Sequence, residues 1–144
     1  MAKERFNSPL RKAGVWAIIQ CAESGKVLLG KRSSVVNNGG AWNFFGGRVD
    51  RGESPRAALL RELVEEAGLR VKEKQLVKIR QVSGEGGDRE LHYYLLRLER
   101  EVAPRLNREH SNFGWFKPGR LPGRFNRPTT IAIKKGLLGS LRQH

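Results

Sequence analysis

Between residues 53 and 66 the chain places four glutamates, Glu53, Glu62, Glu65 and Glu66, around Arg61. Glu62, Glu65 and Glu66 are separated by steps of three and four, the spacing of neighbours on a helix surface. Three carboxylates gathered there repel one another unless a cation stands between them. A hard divalent ion, Mg²⁺ or Mn²⁺, prefers such oxygen ligands and shares them with substrate phosphates. Arg61 suits an organising role, because its planar fork can hold Glu53 or, one turn along, Glu65. The plainer alternative is a solvated acidic helix face, the usual fate of such clusters.

A helix over Ser54–Ala67 is the element that must carry these residues. Ser54 is a good N-cap, Pro55 fits the first helical position, and Gly68 is placed to stop the helix. Leu60, Leu63, Val64 and Ala67 predict its buried face, with the glutamates projecting from another side. Just before it, Gly46 and Gly47 allow backbone to come close to a ligand.

The spacing has a further consequence. Gly47, Glu53, Arg61-Glu62-Leu63, Glu65-Glu66, Gly68 and Leu69 match G-x5-E-x7-R-E-U-x-E-E-x-G-U, with U aliphatic. The chain therefore resembles the Nudix (MutT-like) hydrolases, which cleave diphosphate bonds in nucleoside diphosphates linked to another group. Carried onto this chain, the resemblance implies a metal site at Glu53, Glu62, Glu65 and Glu66, with a backbone carbonyl near Gly46 assisting and Arg61 as organiser. Trp42-Asn43-Phe44-Phe45-Gly46-Gly47 departs from the family's W-x-x-P-G-G, since Phe45 stands where proline is common. That change should loosen a turn or add an aromatic surface at the site, whereas Phe44 is expected in the core. The family often has a basic residue at the strand end held here by Lys31 and Arg32, where it reaches a substrate phosphate. A solubilising edge charge is the other account of Arg32. Glu109-His110 followed by Trp115 is similar to the E-H-x4-W passage of MutT-like enzymes, which makes Glu109 an expected metal ligand or general base. The implied fold is an α/β/α sandwich, a mixed β-sheet between α-helices. Dimers are common in the family, so a monomer or a homodimer is expected.

A length of 144 residues suits one domain. Residues 1–13 are expected to form a flexible arm, and residues 14–144 a single Nudix domain. Cys21 is the sole cysteine, so no intramolecular disulfide forms, and its apolar setting predicts a buried strand. No apolar run is long enough to span a bilayer, and the N-terminus lacks a secretory pattern, so a cytoplasmic protein is expected. The net charge is +14, and from Arg100 to His144 ten Lys and Arg face only Glu101 and Glu109. Such a field attracts polyanions, nucleotides or an RNA 5′ end, or it simply aids solubility. No RNA-recognition motif accompanies it.

Val15–Ala22 and Val27–Lys31 predict strands joined through Glu23-Ser24-Gly25-Lys26. A short strand should follow at Trp42–Phe44, after a loop over Asn37–Gly40. Gln75–Val82 and Glu90–Leu98 predict two more strands, linked through residues 83–88. A last short strand includes Trp115 and Phe116. Thr129–Leu141 is helical in pattern, though Gly136 and Gly139 weaken it. Trp42, Tyr93, Tyr94, Phe113 and Phe125 are the aromatics available to stack on a base, and Arg124-Phe125-Asn126-Arg127 could contact base or phosphate. His92 is expected to pack, and His110 to be structural or exposed. The activity expected is hydrolysis of a phosphoanhydride in a nucleoside di- or triphosphate or a derivative. The alternatives are action on an RNA 5′ end, or a non-catalytic module that binds nucleotide or RNA.

Overall fold

The computed structural model describes residues 12–83 and 89–144. Its strands are β1 (Lys12–Cys21), β2 (Val27–Arg32), β3 (Trp42–Asn43), β4 (Phe45–Arg48), β5 (Val77–Ser83), β6 (Arg89–Leu98) and β7 (His110–Phe116). The helices are α1 (Pro55–Ala67) and α2 (Arg127–Lys134), each followed by a short 3₁₀ turn, at Glu73–Gln75 and Leu138–Gln143. The sheet runs β3-β2-β1-β6-β5, with β4 also on β1 and β7 on β2. It is mixed: β1 and β6 are parallel from Lys12↔Arg89 to Cys21↔Leu98, and the remaining pairs are antiparallel.

Alternation along β1 builds the two cores. Val15, Ala17 and Ile19 pack with Ala58, Leu59, Leu63 and Ala67 of α1. Trp16 and Ile18 face the other way, toward Ala132 of α2 and Leu137 and Leu141 beyond it. A central strand buried on both faces explains why Val15–Cys21 reads as a continuous apolar run. The expected mixed sheet between helices is therefore the observed architecture.

Several boundaries differ from expectation. Lys12 and Ala13 are strand, paired with Arg89 and Glu90, so the expected arm loses its last two residues. Residues 1–11, the rest of that arm, and 84–88 of the expected β5–β6 loop lie outside the described residues. The Trp42–Phe44 strand is split, because Phe44 turns its ring into the α2-side core between β3 and β4. Strand β7 begins at His110 and runs the full length of β2, where the sequence suggested only a short piece near Trp115. The last helix ends early: Gly136 adopts φ 74°, and its N–H already bonds to Ile133 O at 3.0 Å. The weakness expected there is a true break.

Candidate active site

Helix α1 is capped as its sequence predicts. Ser54 Oγ accepts the Ala57 N–H at 3.1 Å, Pro55 opens the helix, and Gly68 closes it in the left-handed conformation. Its buried face, however, is shifted from the predicted one. Leu63 and Ala67 are buried as expected, but Ala58, Leu59 and Glu66 complete the set, while Leu60 and Val64 are only half-buried. The three glutamates consequently do not share one solvated face. Glu66 is 3% exposed within the apolar face, whereas the Glu65 side chain is 54% exposed.

Arg61 occupies the centre of the acidic group. Its Nε and Nη2 donate to the two Glu53 carboxylate oxygens at 2.8 and 2.9 Å. Nη2 also reaches Arg48 O at 3.1 Å, and Nη1 reaches Glu62 at 3.3 Å and Glu65 at 3.4 Å. The Arg61 hydrogen bonds, aided by the Asp50 N–H, pull the Glu53 carboxyl down to about 2. The same contacts raise Arg61 further above its ordinary value. Arg61 contacts both of the carboxylates expected for it, Glu53 and Glu65.

Glu62 and Glu66 behave oppositely. Burial is the main cause that lifts both carboxyls above the usual range, and each also feels neighbouring negative charge. Glu66 accepts the Gly46 N–H at 3.0 Å, which only partly offsets this. Both glycines are required by close approach. A Cβ on Gly47 would overlap the Glu62 carboxylate, and one on Gly46 would overlap Val15 O and the Trp16 backbone. The charge on Glu109, in the turn just before β7, acts on Glu62 and Glu66 alike. A bulge at Ser111 and three hydrogen bonds hold the segment: Ser33 N to Glu109 O at 2.8 Å, Ser33 Oγ to Arg108 O at 2.7 Å, and Glu109 N to Asn107 Oδ1 at 2.9 Å.

One buried and one partly buried carboxylate with raised affinity for protons, and more carboxylates close by, form an oxygen donor set that suits a hard divalent cation. Among the described residues, no three His, Cys, Asp or Glu side chains stand together as a ready-made metal cage. Arg61 instead engages Glu53, Glu62 and Glu65 at once. Of the three helix carboxylates, Glu66 is buried, Glu62 is partly buried and Glu65 stands at the rim.

Other expected residues are distributed differently. Arg32 turns its fork onto its own loop, donating to Asn37 O at 2.9 Å and Asn37 Oδ1 at 3.1 Å, though its charge reaches Glu66. Lys31 sits beside it on β2, paired with Trp42 and Asn112. Phe45 adds no aromatic surface: it is fully buried, packed at 4.9 Å on His110 and against Gly30. His110 is structural rather than exposed. Its Nε2 lies 3.2 Å from Asn43 Nδ2, and burial, with help from Arg32, depresses it to about 4. His92 is buried, as expected. Of the aromatics, Tyr93 and Tyr94 belong to the core, Trp42 packs edge-on against Phe116 at 5.2 Å, and Phe113 and Phe125 pack on the cores. In the Arg124–Arg127 segment, Arg124 bonds Gly39 O, and Asn126 caps α2 by accepting the Thr129 N–H at 3.1 Å.

One feature was beyond sequence reasoning. A cavity of about 190 Å³ opens beside Gly47, lined by Lys12, Gly14, Trp16, Arg48, Arg89 and Leu91, with Pro128 at the start of α2. These residues are scattered over four elements, and only strand register brings them together.

Comparison with known proteins agrees with the geometry. The NUDIX domain description matches residues 10–135. The chain is 35% identical over 106 residues to the CTP pyrophosphohydrolase of Escherichia coli (strain K12), covering 72% of this chain and 74% of that protein. It is 51% identical over 45 residues to an RNA pyrophosphohydrolase of Roseobacter denitrificans, covering 31% of this chain and 27% of that protein. Among solved structures, a MutT NUDIX hydrolase from Burkholderia pseudomallei superposes with a TM-score of 0.69 at 27% identity, over 86% of this chain and 96% of that one.

Proposed function

We infer that this chain, which belongs to the Nudix hydrolase family, hydrolyses the phosphoanhydride bond of a nucleoside di- or triphosphate, or of a derivative, with Mg²⁺ as its metal and Mn²⁺ as a substitute. The observation that carries this is the pair of buried Glu66 and partly buried Glu62 against the Gly46-Gly47 turn. Those two carboxylates, with Glu65 turning inward from the rim, Glu53 in support and the Gly46 carbonyl near by, would hold the cation. When bound, it neutralises phosphate charge and lowers the pKa of a water.

The chain's own residues supply the rest. Arg61 fixes Glu53 and tethers the loop at Arg48 O, so the carboxylates keep their places as substrate arrives. Glu109 or Glu65 accepts the proton as water oxygen bonds to phosphorus and the bridging P–O bond breaks. Lys31, whose ammonium donates to no other group among the described residues, can balance charge on the departing phosphate, and Arg32 can do so if it gives up Asn37.

Phosphate release from a nucleotide panel tests the assignment. Glu66→Gln and Glu62→Gln should each lower turnover by about two to four orders of magnitude, with an unchanged circular-dichroism spectrum. Wild-type turnover in either variant, or full activity in excess chelator, would overturn it.

A further inference from the structure

We propose that the cavity beside Gly47 is an anion site, which receives an additional phosphate carried by the organic half of the substrate. The inference rests on the hydrolase reading, since it takes the scissile anhydride to lie at Glu62 and Glu66.

The sheet register makes the cavity. Gly14 pairs with Arg48 and Leu91, and Trp16 pairs with Gly46 and Tyr93, so all these residues face α2. Two glycines on that face leave a hollow, and Trp16 lies across it against Gly14 and Gly46. Lys12, Arg48 and Arg89 stand around the rim, and none of the three side chains has a hydrogen bond or ion pair among the described residues. Trp16 Nε1 is buried and also lacks an acceptor there.

Among the described residues, every polar side-chain group at the cavity is thus a donor, and no carboxylate, amide or hydroxyl lines it. The backbone carbonyls are already engaged: Val49 N bonds Ala13 O at 2.9 Å, Arg61 bonds Arg48 O at 3.1 Å, and Tyr93 bonds Pro128 O at 2.6 Å. A nucleobase edge presents donors as well as acceptors, so here its donors would go unmatched. A phosphate presents acceptors only, and it matches three cations and an indole N–H that have no partner among the described residues. The apolar walls at Leu91 and Pro128 strengthen that attraction by lowering the local dielectric. Gly47 lines this cavity on the α2 side and approaches the Glu62 carboxylate on the α1 side, and β4 pairs only with β1 among the described strands, so a ligand laid over β4 reaches both. The substrate class is a nucleotide with its anhydride on the 5′ side and a further phosphate on the sugar. Either a free 3′-phosphate or the next link of an oligonucleotide supplies that chemistry.

Titration calorimetry on the full chain distinguishes these, using adenosine 5′-monophosphate, adenosine 3′,5′-bisphosphate and the 5′-phosphorylated dinucleotide pApA. At least one of the two doubly charged ligands should bind about tenfold or more tighter than the monophosphate. That preference should shrink to about threefold or less in the Lys12→Gln/Arg89→Gln double variant, and partly in Trp16→Phe. A gain for the bisphosphate assigns the site to a terminal phosphate, and a gain for pApA assigns it to a strand end. Equal affinity for all three ligands, or a preference that survives the double variant, would overturn the proposal. None of the ligands contains an anhydride, so this outcome is independent of turnover in Glu66→Gln.

Discussion

Arg61 shows how one side chain sets the chemistry of its neighbours. By donating to both oxygens of Glu53 it keeps that carboxylate charged down to about pH 2. The folded value lies below the unfolded one, so this contribution to stability is complete above about pH 4.5 and is lost as pH falls toward 2. Lysine cannot reproduce the fork. Arg61→Lys should lower kcat by about a hundredfold, with a smaller change in KM, as read by steady-state kinetics on the best nucleotide. An unchanged kcat would remove Arg61 from its organising role.

His110 offers a second test at this scale, and the sign is again that of a depressed value. It is buried and neutral beside Asn43 and Phe45, with a folded value near 4 against about 6.5 when unfolded. Stability from this group is therefore full above pH 6.5 and lost progressively toward pH 4. Between pH 7 and pH 4.5 the wild type should lose about 2 kcal/mol more than His110→Gln in urea unfolding. Identical losses would mean the imidazole is already charged in the fold. Residue types and spacing were enough to anticipate Arg61's partners and the Ser54 and Gly68 caps, because those contacts are local. They were not enough to place Glu66. Steps of three and four fix which residues are neighbours on a helix, but not which side of the stripe turns inward.

At the level of elements, β4 and α1 form one unit, with Gly46 and Gly47 as its hinge points of closest approach. The two glycines are tight against different things. Alanine at Gly47 meets the end of the Glu62 side chain, while alanine at Gly46 meets the backbone of β1. Gly47→Ala should fold with nearly the wild-type melting temperature yet lose about a hundredfold in kcat, because a displaced carboxylate misplaces the reacting groups. Gly46→Ala should lower the melting temperature by several degrees, since β1 cannot move aside. Calorimetric melting alongside turnover separates the two; a stable, inactive Gly46→Ala would contradict the packing described. The glycine pair was visible in the sequence, but its two functions were not, because they depend on the pairing of β4 with β1. The same dependence hid the cavity, whose residues come from β1, β4, β6 and the start of α2. The break at Gly136, in contrast, was foreshadowed by composition, since glycine costs about 1 kcal/mol in a helix interior.

For the molecule as a whole, the net charge of +14 raises the question of whether it acts on catalysis or only on solubility. Local contacts do not decide this, because a field is the sum of all charges and is screened over about 10 Å at 0.1 M salt. The site itself carries clustered carboxylates, which would repel a nucleotide tri-anion approaching without its metal. A surrounding excess of Lys and Arg can reverse that sign at longer range and draw polyphosphates inward. If the excess serves encounter, kcat/KM should fall about tenfold between 20 and 300 mM KCl, while kcat stays nearly constant, since the bound complex is shielded from salt. The fall should be steeper for a triphosphate than for a diphosphate, in proportion to ligand charge. Initial rates on both substrates across the salt series give the two slopes directly. Parallel, shallow slopes would assign the basic surface to solubility alone, with capture left to the short-range contacts at Lys31, Arg48 and the metal.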